Sequence, residues 1–305
     1  LFPEARSMLV VAARYDGVTL GLAESESEAA GPSGIVARYA RGRDYHFVLR
    51  QRLEQLAAWI QQSVHPALTY RIVVDTAPLM ERELAMRAGL GFIGKNTMLI
   101  APGLGSYTVL GAILLSLELP PDKPATPRCG QCDRCLSACP TQALVAPYRL
   151  DARRCVSYLT IEHRGPVAEE LAEKIGDCIF GCDACQAACP YNTPLSRRAD
   201  APRAFELRDP DLDPPDEIRS LPLDALLTLR SSDYRRLVRG RAFERVSRRM
   251  WARNAAFALA NQLRLGQATL APNIRNALLE ATRSSDGALQ RAAQQALNAA
   301  NAGSR

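Results

Sequence analysis

All nine cysteines of this chain lie between positions 129 and 189, and the rest of the sequence carries none. A disulfide framework would be spread along a secreted chain, and nothing here suggests secretion, so the clustering points to metal ligation. The first group reads "CGQCDRCLSACP", placing Cys129, Cys132, Cys135 and Cys139 ahead of Pro140. This is the C-x2-C-x2-C-x3-C-P run of bacterial ferredoxins. Three closely spaced thiolates wrap a loop around one 4Fe–4S cubane, and the fourth, entering a short helix, points toward a second cubane. Zinc favours paired knuckles set far apart, so four cysteines in eleven residues favour iron–sulfur chemistry.

The second group, "CIFGCDACQAACPYN" at 178–192, ends on the same half-motif with Cys182, Cys185, Cys189 and Pro190. It needs one more ligand, and two cysteines remain. Cys178 is near but separated from Cys182 by three residues instead of two; Cys155, in "DARRCVSYLT", is remote in sequence. Spacing alone leans to Cys178, while spatial proximity could serve Cys155. Each fourth cysteine is expected to cross to the other cluster, which groups Cys129, Cys132 and Cys135 with Cys189 and sends Cys139 to the second set.

The rest of the chain is compatible with a globular protein of two or three domains: 305 residues, 47% hydrophobic and 23% charged. The longest apolar run, "YTVLGAILLSLEL" at 107–119, is too short for a bilayer and reads as a buried strand. No export signal is visible at the start, and no membrane association is expected. The abrupt opening "LFPEARSMLVVAARYD" leads us to expect that a natural N-terminal segment precedes it. The net charge of +6 permits a nucleic-acid partner. Only three of the 38 basic residues are lysines, a bias that weakens arginine abundance as an argument for phosphate binding.

Other motifs carry competing readings. "GLGFIGKN" at 89–96 resembles phosphate-cradling patterns, but it follows the helix-like "LMERELAMRAG" and precedes the strand-like "TMLIAP". That context favours a helix C-cap at Gly89 and a glycine-rich turn shaping a cofactor pocket. "YRIVVDTAP" at 70–78 sets Asp75 at the end of an apolar strand. There it could cap a helix starting near Pro78, or hold and donate a proton in a ligand crevice of an α/β sheet. His46 and His163 have no partners at ligand spacing and read as surface or hydrogen-bonded residues. "RNAAFALAN" (253–261) partly recurs as "RAAQQALNA" (291–299), a HEAT-like interval. Just before, residues 230–253 hold nine arginines against Asp233 and Glu244, either a solvated face or a phosphate-binding stripe.

Together these segments resemble one family, the epoxyqueuosine reductases. The resemblance rests on "GIVARYARGRDYH" (34–46), "VDTAPLMERELAMRAGLGFIGKNTMLI" (74–100), the ferredoxin run, "DARRCVSYLTIE" (151–162), "GCDACQAACPYN" (181–192) and "RRMWARNAAFALAN" (248–261). It implies an α/β cobalamin-binding domain (1–122), a bacterial ferredoxin-like two-cluster domain (123–198) and C-terminal HEAT-like helical repeats (199–305) that grip tRNA. It implies reduction of epoxyqueuosine to queuosine at the anticodon wobble base, with electrons passing through two 4Fe–4S clusters to cobalamin. An external electron donor, a cytoplasmic setting and a monomeric enzyme go with that reading. Asp75 becomes the proton donor. The resemblance also makes Cys155 the missing ligand of the second cluster, beside Cys139, Cys182 and Cys185, and leaves Cys178 a bystander. Some members carry a cysteine near the cobalt where Ala37 stands here, so a thiol there is not expected to be required. Ala37, Asp75, Leu99 and Ser157 are the expected cobalamin contacts. A reductive dehalogenase-like enzyme, a ferredoxin-type electron carrier and an RNA-binding protein with structural clusters are the competing readings.

Overall fold

A three-stranded sheet forms the first layer of the computed structural model, which describes residues 2–15, 31–192, 210–212, 218 and 220–302. Strand β6 (Thr108–Leu115) is its centre, flanked by β1 (Ser7–Arg14) and β3 (Tyr70–Val73). The 107–119 run supplies this strand because a central strand covered on both faces needs continuous apolar sequence. Helix α1 (Tyr45–Ser63) covers one face, burying Val48, Leu49, Leu53 and Ala57 against Ile113 and Leu115. Gly111 permits that approach, since a Cβ there would stand 2.8 Å from a Leu49 methyl. Helix α2 (Glu81–Arg87) covers the other face through Ala85, which packs with Leu99 and Leu110. Both neighbours of β6 run antiparallel to it, with Leu9 and Ile72 both opposite Ile113. The sheet is thus antiparallel throughout, and Asp75 lies on the turn that follows β3.

Helix α2 ends as its sequence suggests. Ala88 is the C-cap, Gly89 takes φ of +73°, and the Leu90 N–H reaches back to the Ala85 carbonyl. The chain then forms a hairpin of β4 (Phe92–Ile93) and β5 (Leu99–Ile100). "GLGFIGKN" is thus a helix stop and a hairpin, with neither the strand before it nor the helix after it that a phosphate loop requires.

A second sheet joins three distant parts of the chain. Strand β2 (Ser33–Val36) lies between β9 (Cys178–Phe180), which is parallel to it, and β10 (Ser220–Pro222), which is antiparallel. Each strand comes from a different one of the three expected domains, so these segments share hydrogen bonds and a core. The boundary expected at 198–199 lies outside the described residues. Helices α4 (Val156–Ile161) and α5 (Glu169–Ile175) pack beside this sheet. So do α7 (Leu223–Leu227), α8 (Ser231–Val238) and α9 (Arg248–Arg264). Phe180 stacks on Trp251 at 5.5 Å, with Phe243 edge-on to the indole.

Helix α9 is buried on all sides between these elements, α10 (Pro272–Ala281) and α11 (Gly287–Ala302). The two similar stretches fall on α9 and α11, which pack against each other. Arg253 does not belong to an exposed arginine stripe: it is 1% exposed and donates to the Leu159, His163 and Gly165 carbonyls. Burial pushes its guanidinium down to about 10. Asn254 donates to the Thr160 and Ile179 carbonyls, and Asn261 to those of Ala172 and Gly176. Polar side chains of α9 thereby satisfy the open carbonyl ends of α4, β9 and α5, a need that helix and strand ends always carry.

The cysteine-rich segment holds two short helices at matching places in its repeated motif, α3 (Arg134–Ser137) and α6 (Ala184–Ala187), which pack together. A hairpin of β7 (Leu144–Ala146) and β8 (Arg149–Leu150) follows the first. A buried polar cluster ties this segment to the loop before β6. Asn192 accepts from the Ser106 N–H at 2.8 Å, and the Ser106 hydroxyl donates to Gln186 at 2.9 Å.

Candidate active site

The nine thiols are free, and eight of them fall into two groups of four. Cys129, Cys132, Cys135 and Cys189 line one small cavity of about 40 Å³. Cys139, Cys155, Cys182 and Cys185 line a second, larger cavity of about 420 Å³. The local sequence explains the sorting. In each half-motif a one-turn helix carries the middle cysteine, and the chain then turns at the Cys–Pro step, which carries the last thiol away from its own group. Cys155 arrives at the N-terminus of α4, where its backbone caps the helix. Cys178 lines neither cavity. It begins β9, opposite Ile35, with its side chain against the core, and its thiol hydrogen-bonds to the Cys182 sulfur, which is held down as Cys178 is pushed up.

Backbone amides point at three of these sulfurs. Lys95 N–H reaches Cys129 Sγ at 3.5 Å, Ala143 N–H reaches Cys139 Sγ at 3.2 Å, and Ala184 N–H reaches Cys182 Sγ at 3.5 Å. Such donors stabilise thiolate charge and tune a cluster bound to it. The Gly-Lys turn supplies more than an amide. Lys95 Nζ donates to the Gly130 carbonyl at 2.8 Å and to the Cys132 carbonyl at 2.9 Å, strapping down the first cysteine loop. Next to it, Asn96 is 3% exposed and lines both cavities. Its Oδ1 accepts from the Met98 N–H, while its Nδ2 has no partner among the described residues. A buried donor without an acceptor is costly. An occupant offering an acceptor beside Asn96 would complete the site.

The larger cavity has an apolar wall including Met98, Val109, Leu110 and Leu144, with Tyr39, Asp75 and Asp183 as polar lining. Its volume is that of a small-molecule site. Asp75 stands on the rim with 41% of its side chain exposed and φ of +53°. Its N–H donates to Glu81 Oε1 at 2.6 Å, which holds the turn in this left-handed conformation. Asp75 caps no helix: α2 starts at Glu81, with Met80 in the cap position.

His46 is the unexpected member of the site. Its Nδ1 lies 2.6 Å from Asp44 Oδ1 and its Nε2 lies 3.2 Å from Asp75 Oδ2. Ionised carboxylates only accept, so hydrogen bonds at both nitrogens require the imidazolium. The bonds to Asp44 and then Asp75 outweigh desolvation and raise His46 to about 9. Asp75 is held below the usual carboxylate range, first by the His46 hydrogen bond and, against partial burial, by the charges of His46 and Arg245. Arg245 Nη1 lies 3.8 Å from Asp75 Oδ2, and its Nε pairs with Glu162 at 2.5 Å. The pairing favours the ionised form of Asp75 and the protonated form of His46.

Of the remaining sequence-derived contacts, Ser157 lines the large cavity and Leu99 and Ala37 do not. Leu99 is buried behind the wall with Ala85 and Leu110. Ala37 is 2% exposed and donates its N–H to the Phe180 carbonyl. A Cβ added to Gly181 would stand 2.6 Å from that of Ala37, so the two backbones are in close contact. The His163 ring bonds locally to the Pro166 carbonyl and lies against Tyr158, a hydrogen-bonded role its sequence context suggested. Sequence reasoning read His46 as a surface or hydrogen-bonded residue without linking it to Asp75, and gave Asn96 and Arg245 no place in the site; the offset of two between Asp44 and His46 was a readable signal, as a helix cap with a side chain returning to it.

Comparison with known proteins matches two family models: "4Fe-4S double cluster binding domain" over residues 128–192, and "Epoxyqueuosine reductase QueG, DUF1730" over residues 1–76. The chain is 47% identical over 263 residues to an epoxyqueuosine reductase of Xanthomonas campestris, covering 86% of this chain and 69% of that protein. Among solved structures, an epoxyqueuosine reductase from Streptococcus thermophilus superposes with a TM-score of 0.79 at 31% identity, over 98% of this chain and 74% of the other. A second, an epoxyqueuosine reductase with an epoxyqueuosine-modified tRNA-Tyr stem loop, gives a TM-score of 0.78 at 28% identity, over 98% and 83%.

Proposed function

The chain belongs to the epoxyqueuosine reductase family, a family of oxidoreductases, and on that premise we propose that it reduces epoxyqueuosine to queuosine at the wobble position of tRNA. The observation that carries the reading is one cavity lined at once by the second cysteine group and by Asp75. Cys129, Cys132, Cys135 and Cys189 would hold one 4Fe–4S cluster, and Cys139, Cys155, Cys182 and Cys185 the other. The matching double-cluster family and the amide N–H groups aimed at the sulfurs support this. Cobalamin would occupy the large cavity; its apolar wall, the unpartnered Asn96 amide and Ser157 suit such an occupant. When bound, these groups supply low-potential electrons to the epoxide carbon.

The protein's own residues have three tasks in this scheme. Asp75 delivers a proton to the epoxide oxygen, Glu81 fixes the turn that carries it, and the cavity wall excludes water from the reacting carbon. A flexible single-stranded loop is what such a pocket needs, because a stacked base could not reach it. Arg235, Arg236, Arg239, Arg248 and Arg249 are exposed on α8, just after it and at the start of α9, and would face the phosphates of the anticodon stem–loop. Free thiols suit a reducing cytoplasm, and an external donor must supply the electrons. A bare electron carrier would need neither the large cavity nor the Asp75 turn.

The test is to incubate reduced, reconstituted protein with epoxyqueuosine-containing tRNA and analyse the nucleosides. Conversion to queuosine is expected. Protein with both clusters and cobalamin that leaves epoxyqueuosine unchanged would overturn the reading.

A further inference from the structure

We propose that His46 is the proton store of the site, a positioning residue that hands its Nε2 proton to Asp75 during turnover and is reprotonated from solvent. The inference rests on the deoxygenation reading and adds the residue from which the proton comes.

The geometry is a file of three side chains. Asp44, the N-cap of α1, accepts from the His46 backbone at 3.0 Å and from the ring Nδ1 at 2.6 Å, which fixes both tautomer and ring orientation. Tyr45 stacks on the ring at 4.1 Å between centroids. The other ring nitrogen faces Asp75 at 3.2 Å, and Asp75 alone of the three lines the cavity. The ring is 27% exposed, enough for water to reload it. The elements packed around contribute Glu81 from α2 and Arg245 from the turn before α9, the latter shared between Asp75 and Glu162. Two carboxylates directly bonded to the ring outweigh one arginine that pairs with Asp75 and Glu162.

The proton balance follows. Opening an epoxide to an alkene takes two electrons and two protons, breaks both C–O bonds and releases water. As the first C–O bond breaks, charge builds on oxygen and its basicity rises far above that of a carboxylate. Asp75 takes a proton from His46 and passes it to that oxygen, and the ring becomes neutral and keeps its Nδ1–H bond to Asp44. Solvent restores the imidazolium, and the same exchange serves the second proton. A carboxylate alone on an exposed rim would be empty at neutral pH; with a ring charged up to about pH 9 behind it, the supply persists. The folded pKa is above the free value of about 6.5. The His46–carboxylate pairing is therefore fully present below pH 6.5 and is lost as pH rises through about 9.

The experiment combines two measurements. In reconstituted protein, His46→Gln retains an N–H toward Asp75 without an acidic proton. Its kcat should fall on the order of 100-fold, its KM for tRNA should stay within about twofold, and the wild-type alkaline limb near pH 9 should disappear. Iron content shows whether the variant has folded. Separately, ¹⁵N spectra of the imidazoles in wild-type holoprotein, which has only three histidines, should show one titrating near 9, moved down by Asp75→Asn. Wild-type kcat with an unchanged alkaline limb in His46→Gln would overturn the proposal. So would a His46 midpoint near 6.5, or one that Asp75→Asn leaves in place. If wild-type protein fails to reduce epoxyqueuosine, the deoxygenation reading falls, and the imidazole titration still decides whether His46 and Asp75 share a proton.

Discussion

Cys155 and Cys178 compete for one ligand place, and their alanine variants should separate cleanly. Two 4Fe–4S clusters correspond to about eight iron atoms per chain. Cys155→Ala removes a thiol that shares a cavity with Cys139, Cys182 and Cys185, and should lower iron and acid-labile sulfide to about half of wild type. Cys178→Ala removes a half-buried thiol packed against the core at the start of β9 and should leave iron unchanged. Its cost is a small packing loss, on the order of 1 kcal/mol by analogy with one-group core truncations. In a chain of this size that is a Tm shift of about 2–4 °C. Cys178 is held by the β2–β9 pairing, with Ile35 opposite it, so it should not replace Cys155 without unzipping those strands. The assay is iron and sulfide per chain after anaerobic reconstitution and gel filtration, with the double variant matching Cys155→Ala. Half-normal iron in Cys178→Ala with full iron in Cys155→Ala would refute the assignment.

Asp75→Asn should lower conversion of epoxyqueuosine by on the order of 100-fold or more, with iron and bound cobalamin unchanged, measured by nucleoside analysis and absorbance. Arg253→Leu strands the Leu159 and His163 carbonyls in the interior and should destabilise by about 3–5 kcal/mol, read as a lowered denaturation midpoint. Arg249→Ala, at an exposed position, should leave that midpoint within about 0.5 kcal/mol while weakening tRNA binding and reducing its salt slope by about one. Lys95→Met frees the Gly130 and Cys132 carbonyls, and the first cluster should lose iron faster in air while the second persists, followed by absorbance decay and iron counts.

The cysteine pattern was the most legible part of the chain because ligand spacing reflects the size of the object enclosed. Cys139 and Cys189 cross over because a short helix and a proline follow from local sequence, and that much could be read without coordinates. The rival claims of Cys155 and Cys178 could not be settled by spacing, since the decision lies in where β9 and α4 meet in space. Asp75 was visible as an apolar strand end, yet its ionisation was not: its partner lies 29 positions away, on another element. Arg253 shows the opposite failure. It sits among exposed arginines in sequence, and only the carbonyl ends gathered around α9 reveal it as interior scaffolding. The three-domain division also followed the motifs well, but strand pairing between Ser33–Val36, Cys178–Phe180 and Ser220–Pro222 leaves no trace in local composition.

That shared sheet sets a timetable for the newborn chain. At roughly 5–20 residues per second of synthesis, Ser33–Val36 waits on the order of ten seconds or more before Ser220–Pro222 emerges to pair with it. Until then β2 can pair with β9 alone, and its other edge stands open. Completing the last third of the polypeptide closes that opening.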